Sequence, residues 1–97
     1  MLKLKIVSPE RVEFEGEVLS GTVPGTLGSF EVLENHAPII SSLEKGVVDY
    51  QTPDGEHNEI GIMGGFVEVQ KNVVSVCVEI EELQLKHQSK ESRKWLI

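Results

Sequence analysis

Few residues of this 97-residue chain are of a type that could carry chemistry: three histidines (His36, His57, His87), a single cysteine (Cys77) and two glycine-rich stretches. No histidine stands at metal-ligand spacing from another histidine or from Cys77, so no metal site is read. The stretch GTVPGTLGS, residues 21–29, lacks the Gly-Lys-Ser/Thr ending and the following helix start of a phosphate loop, and it reads as a surface loop. In GIMGGFVEV the pair Gly64-Gly65 precedes a strand pattern where dinucleotide recognition would need a helix, which points to close strand packing or a bulge. The adjacent carboxylates Glu81 and Glu82 lie in an acidic run and read as solvated charge. Cys77 sits in VVSVCVEI among apolar and acidic neighbours, a poor setting for a thiolate, and reads as a buried structural thiol.

His36 is the strongest remaining candidate. Pro38 drives Ala37 into an extended conformation, and Ile39-Ile40 form an apolar run that is expected to be buried. His36 then stands at the mouth of a strand or turn, with its ring in reach of neighbouring backbone. No Ser, Cys or Asp stands in a recognisable relation to it, and a general base needs an oriented partner. The reading is a structural or interface histidine, with no catalytic residue and no cofactor.

The elements that would position these residues follow from period-two alternation, the grammar of half-buried strands. Leu2, Leu4 and Ile6 share one side against Lys3 and Lys5, and Val12 and Phe14 alternate with Glu13 and Glu15. The pattern returns at 47–52, 59–63, 66–70 and 73–80, where Val74, Val76, Val78 and Ile80 face one way and Ser75, Cys77 and Glu79 the other. Between the runs, SPER, TPDGEHN, MGG and QKN supply turn residues, and Pro53-Asp54-Gly55 is a strong hairpin signal. About eight to ten short strands, with no amphipathic helical window before residue 80, predict an all-β fold: a two-sheet antiparallel β-sandwich over residues 1–82. Residues 83–97 read as a short basic tail, open to partial helix or disorder.

Composition narrows the function. Apolar residues make up 39% and charged residues 26%, values of a globular domain. Residues 1–82 hold five Lys/Arg against fifteen Asp/Glu, net −10, and residues 83–97 are net +3. An acidic body repels a phosphate backbone, so nucleic acid is excluded as a partner. The sequence shows neither a membrane span nor a secretory signal. The lone cysteine suits a reducing compartment, and the expectation is a soluble, intracellular protein.

Taken together, VPGTLGSFEVLENHAPIISSLEKGVV and GIMGGFVEVQKNVVSVCVE resemble the epsilon subunit of F-type ATP synthases, the delta subunit in mitochondrial naming. The features that carry the resemblance are Gly25, Gly28, His36-Ala37-Pro38-Ile39-Ile40, Leu43, Lys45-Gly46, Gly64-Gly65-Phe66-Val67-Glu68-Val69 and Val73-Val74-Ser75-Val76, in family order over about residues 2–82. The resemblance implies a non-catalytic subunit of the rotating central stalk of a proton-translocating enzyme. Its β-sandwich would bind the gamma subunit and rest on the c ring, with no small-molecule substrate. It would act at the cytoplasmic face of the bacterial inner membrane, held there through the complex. Gly28, Ser29 and Phe30 would face the c ring. His36, Ala37, Pro38, Ile39 and Ile40 would touch gamma or brace that loop.

Two departures bear on the resemblance. Where the family commonly has Pro-Gly before His-Ala-Pro, this chain has Glu34-Asn35; asparagine tolerates the left-handed conformation, so the turn is expected to survive with altered charge. Residues 83–97 are too short, and not alanine-rich, for the two-helix C-terminal hairpin of many members, so neither inhibition nor nucleotide sensing is expected of this stretch. Two competing readings are weaker. A generic β-sandwich recognition module would show a rim of exposed aromatics, but Tyr50 and Trp95 join no cluster in sequence. A small hydrolase built on His36 lacks the partners of a base.

Overall fold

The alternating runs form strands, as period-two burial dictates. The computed structural model describes residues 1–80, which comprise β1 (Leu2–Val7), β2 (Val12–Val18), β3 (Ser20–Val23), β4 (Phe30–Val32), β5 (Ile39–Leu43), β6 (Gly46–Gln51), β7 (His57–Gln70) and β8 (Val73–Ile80). Among the described residues there is no helix, and the all-β expectation holds. The tail predicted at 83–97 lies outside them.

The hydrogen-bonded order is β2-β1-β8-β7-β6-β3-β4, with β5 also on β7. The pairings are antiparallel except β1 with β8, which run parallel. That pair joins the two ends of the described chain and has no local sequence signal.

One long strand serves both layers. The first half of β7 pairs with β6, and its second half lies between β5 and β8. Between Ile62 and Gly64 the register against β8 shifts by one residue, with Ile62 opposite Ile80 and Gly64 opposite Glu79. An extra residue reverses which side chains face inward. Before the bulge the buried side chain is Ile62; after it the buried ones are Val67 and Val69. Without the shift, Val67 and Val69 would point to water. The pair Gly64-Gly65 therefore marks a bulge that lets one strand contribute to two layers around one core.

That core joins Leu2, Leu4, Ile6, Val18, Val67, Val69, Val74, Val76 and Val78 of the β1-β2-β7-β8 layer to Val23, Val32, Val48, Tyr50 and Ile62 of the other. Each such side chain contributes about 1.5–3 kcal/mol of transfer free energy on burial. Phe14 of β2 meets Tyr50 of β6 with ring centroids 4.4 Å apart and planes tilted by 39°, an aromatic contact across the layers. Burial pushes the Tyr50 hydroxyl above its ordinary pKa.

Three expectations about orientation need correction. Ile39-Ile40 is not a buried run: on a strand the two point to opposite faces, so Ile39 is half-buried and Ile40 is 74% exposed. Cys77 is half-exposed, paired with Phe66 on the outer face, because the buried set of β8 is Val74, Val76 and Val78. Val12 is exposed, since the β1–β2 register shifts between Ile6 and Val7.

The Pro53-Asp54-Gly55 turn closes the β6–β7 hairpin as read. Thr52 N–H donates to Glu56 O at 2.9 Å, and Gly55, at φ 91°, donates to Thr52 O at 2.9 Å. The Thr52 hydroxyl donates to the Asp54 carboxylate, and Glu56 N–H donates to it at 3.3 Å. In that order these bonds hold the Asp54 carboxyl below its ordinary 3.8. Because the folded pKa lies below the unfolded one, the contribution is complete above about pH 4 and fades as pH falls through the folded value. An NMR titration should place the Asp54 midpoint below 3.8, and Thr52→Val should move it back up.

Candidate functional site

The loop between β3 and β4 and the turn between β4 and β5 form one continuous surface. Gly28 N–H donates to Gly25 O at 2.9 Å, closing a four-residue turn with Thr26 and Leu27 at its corners. Gly28 has φ 129°, a conformation that favours glycine. The turn is stitched to β5: Thr26 N–H donates to Ser42 O at 3.1 Å, Glu44 N–H donates to Pro24 O at 2.9 Å, and the Thr26 and Ser42 hydroxyls are 3.0 Å apart.

Phe30 supports this turn from below. A Cβ at Gly25 would lie 3.0 Å from the Phe30 ring and 2.8 Å from Gly28 O, so the approach requires glycine. The Phe30 ring is half-buried and packs against the core, and its centroid lies 6.4 Å from that of His36. His36 Nδ1–H donates to Ala37 O at 2.7 Å. A carbonyl only accepts, so Nδ1 carries a proton, and the ring is fixed by its own backbone.

The turn holding His36 keeps its shape without proline or glycine. His36 N–H donates to Leu33 O at 3.1 Å, and Asn35, third in the turn, takes φ 69°. The expectation that asparagine would carry the left-handed conformation is met. Asn35 N–H also donates to Asn72 Oδ1 at 2.6 Å, which ties the turn to the β7–β8 hairpin. Glu34 accepts from the Met1 ammonium at 2.9 Å, and that hydrogen bond together with the carboxylate's charge raises the ammonium pKa.

Of the residues singled out in sequence, Gly28, Ser29, Ala37, Pro38 and Ile40 are exposed, while Phe30, His36 and Ile39 are partly buried. Phe30 and His36 come together; Ile40 lies further along β5. Sequence reasoning missed Leu27, which is fully exposed at the tip of the turn with a relative accessibility of 101%. The available signal was a leucine set between glycines in PGTLGS, with no alternation to carry it inward. His57 lies elsewhere, on the β6–β7 hairpin, with Nδ1 3.2 Å from Asp49. The surface thus presents a braced turn with an apolar tip beside an exposed isoleucine, a geometry for docking.

Comparison with known proteins gives this surface a context. The family model described as the ATP synthase delta/epsilon chain β-sandwich domain matches residues 1–84. The ATP synthase epsilon chain of a Nitratiruptor species is 45% identical over 78 residues, covering 80% of this chain and 60% of that protein. That of a Synechocystis species is 38% identical over 82 residues, covering 84% and 60%. The chain therefore spans about 60% of the length of these curated relatives. Among solved structures, a chain of the Euglena gracilis mitochondrial ATP synthase OSCP/F1/c-ring assembly superposes with TM-score 0.75 at 23% identity, over 95% of this chain and 63% of that one. A chain of the Tetrahymena thermophila mitochondrial ATP synthase central stalk/c-ring structure gives 0.68 at 15% identity, over 99% and 79%. At those identities the superpositions establish the fold.

Proposed function

The chain belongs to the ATP synthase delta/epsilon chain family through its β-sandwich domain, and from that membership we propose that it is a non-catalytic central-stalk subunit of a proton-translocating F-type ATP synthase. It binds the gamma subunit and the c ring, and couples proton flow to ATP synthesis by passing torque between them. It acts at the cytoplasmic face of the bacterial inner membrane as a peripheral part of the complex. Among the described residues, no helix is long and apolar enough to cross a membrane.

The observation that carries this reading is the braced turn. A rotor element must transmit force without yielding, and its contact loop cannot be a loose excursion. Here the 25–28 turn is bonded to β5 at Ser42, filled from below by Phe30 and backed by His36. Leu27, with Gly28 and Ser29, faces the c ring; the segment from Ala37 to Ile40 faces gamma.

His36→Ala tests the bracing. Because His36 is partly exposed, the fold should survive, with thermal unfolding close to wild type. Loss of the ring near Phe30 should weaken assembly with gamma and the c ring by about ten-fold, roughly 1.4 kcal/mol, read as retention of the subunit in purified complex. Wild-type retention would remove His36 from the docking surface, and loss of a hydrolytic turnover by the isolated chain would revive the enzyme reading.

A further inference from the structure

The edge strands differ in how open they are to another chain. β2 alternates Glu13, Glu15 and Glu17 along its length, and β4 has three residues; charge and shortness both discourage pairing. β5 has neither protection: Ile39-Ile40-Ser41-Ser42-Leu43 carries no charge.

The ladder fixes which of its backbone groups point outward. Ser42 O accepts from Thr26 N–H, so Ser42 faces away from β7, and in an antiparallel strand alternate residues share that orientation. Ile40 N–H and C=O therefore point outward as well. The 24–26 segment covers the edge at Ser42 and Glu44 and stops before Ile40. Pro38, at the other end, has no N–H to offer. A short open notch remains, centred on Ile40.

Its surroundings define what would fit. The Ile40 side chain is 74% exposed and lies directly opposite Glu68 of β7, also exposed. Glu68 has no ion-pair partner among the described residues. A groove of about 390 Å³, lined by Pro38, Ile39, Ile40, Glu68, Val69 and Gln70, runs beside the notch. An outward N–H and C=O call for a backbone partner, an exposed isoleucine for an apolar one, and a lone carboxylate in an acidic body for a cation.

We propose that the Ile40 notch is a strand-addition site: a short extended segment of the gamma subunit hydrogen-bonds Ile40 N–H and C=O. The segment sets an apolar side chain against Ile40 and a Lys or Arg against Glu68. This rests on the stalk reading above and specifies how gamma is held. The site is continuous with the docking turn, since β5 carries the notch at one end and is stitched to residues 24–26 at the other.

The test uses the full chain and the gamma subunit. In the complex, hydrogen exchange at the Ile40 amide should slow by about ten-fold or more. Ile40→Pro removes an N–H that serves no bond within the sheet and should weaken binding by at least about ten-fold, whereas Ile40→Val, which keeps it, should stay within about three-fold of wild type. If Ile40→Pro fails to fold, the exchange measurement on the wild-type complex decides alone. Gamma binding with Ile40 exchange unchanged overturns strand addition and leaves the stalk reading standing. No gamma binding by folded wild-type chain overturns both.

Discussion

Gly65→Ala should abolish the native fold or lower its unfolding free energy by more than about 4 kcal/mol, a large part of the 5–15 kcal/mol that holds a typical domain together. A Cβ at this position would lie 2.1 Å from Cys77 O, 2.8 Å from Val78 Cα and 3.0 Å from Cys77 C. All three are backbone atoms of the paired strand, so no rotamer change relieves the clash. The residue also has φ 150°, which an L side chain rarely adopts. Relief requires β7 to part from β8, and that pairing sets Val67 opposite Val76 in the core. Gly21→Ala is the control: its Cβ would meet only Asp49 O at 3.9 Å, an ordinary contact, and should cost less than about 1 kcal/mol. Denaturant unfolding of the two variants checks this, and a wild-type midpoint for Gly65→Ala would mean that the strand does not cross between layers at this bulge.

Leu27→Asp should have the largest effect on assembly. Leu27 touches nothing that would hold it inward, so the thermal midpoint of the isolated chain should not move. If the side chain is buried against the c ring, its replacement loses about 2 kcal/mol of transfer free energy and adds the cost of drying a carboxylate. Together these should weaken docking on the c ring by about a hundred-fold or more. Titration of membrane sectors with the gamma complex of each variant reads this directly; undiminished affinity would show that the turn does not face the ring.

What the sequence made legible follows from where burial is one-sided. β1 and β8 alternate cleanly because one face meets the core, so Leu2, Leu4, Ile6, Val74, Val76 and Val78 could be assigned inward from spacing alone. The Pro53-Asp54-Gly55 hairpin and the Asn35 turn were legible because the conformations they need belong to particular residue types. The side of Ile40 was not, since a two-residue apolar run has no period and a strand must turn one of the two outward. Nor was the pairing of β1 with β8, a contact between segments about seventy residues apart in sequence that leaves no local trace. Leu27 escaped for a related reason: alternation says nothing about a loop, and its exposure comes from the turn that Gly25 and Gly28 close around it. The resemblance placed the c-ring contact on Gly28, Ser29 and Phe30, while the geometry turns Phe30 toward the core and puts Leu27 at the tip.

In the proposed role this sandwich grips the gamma subunit from outside and passes force through it. Calorimetric titration of the full chain with purified gamma from the same organism decides whether it does. A one-to-one complex with a Kd of about a micromolar or tighter is expected, and heat-silent mixing of two folded proteins at that concentration, with no complex on gel filtration, would mean that gamma is not its partner.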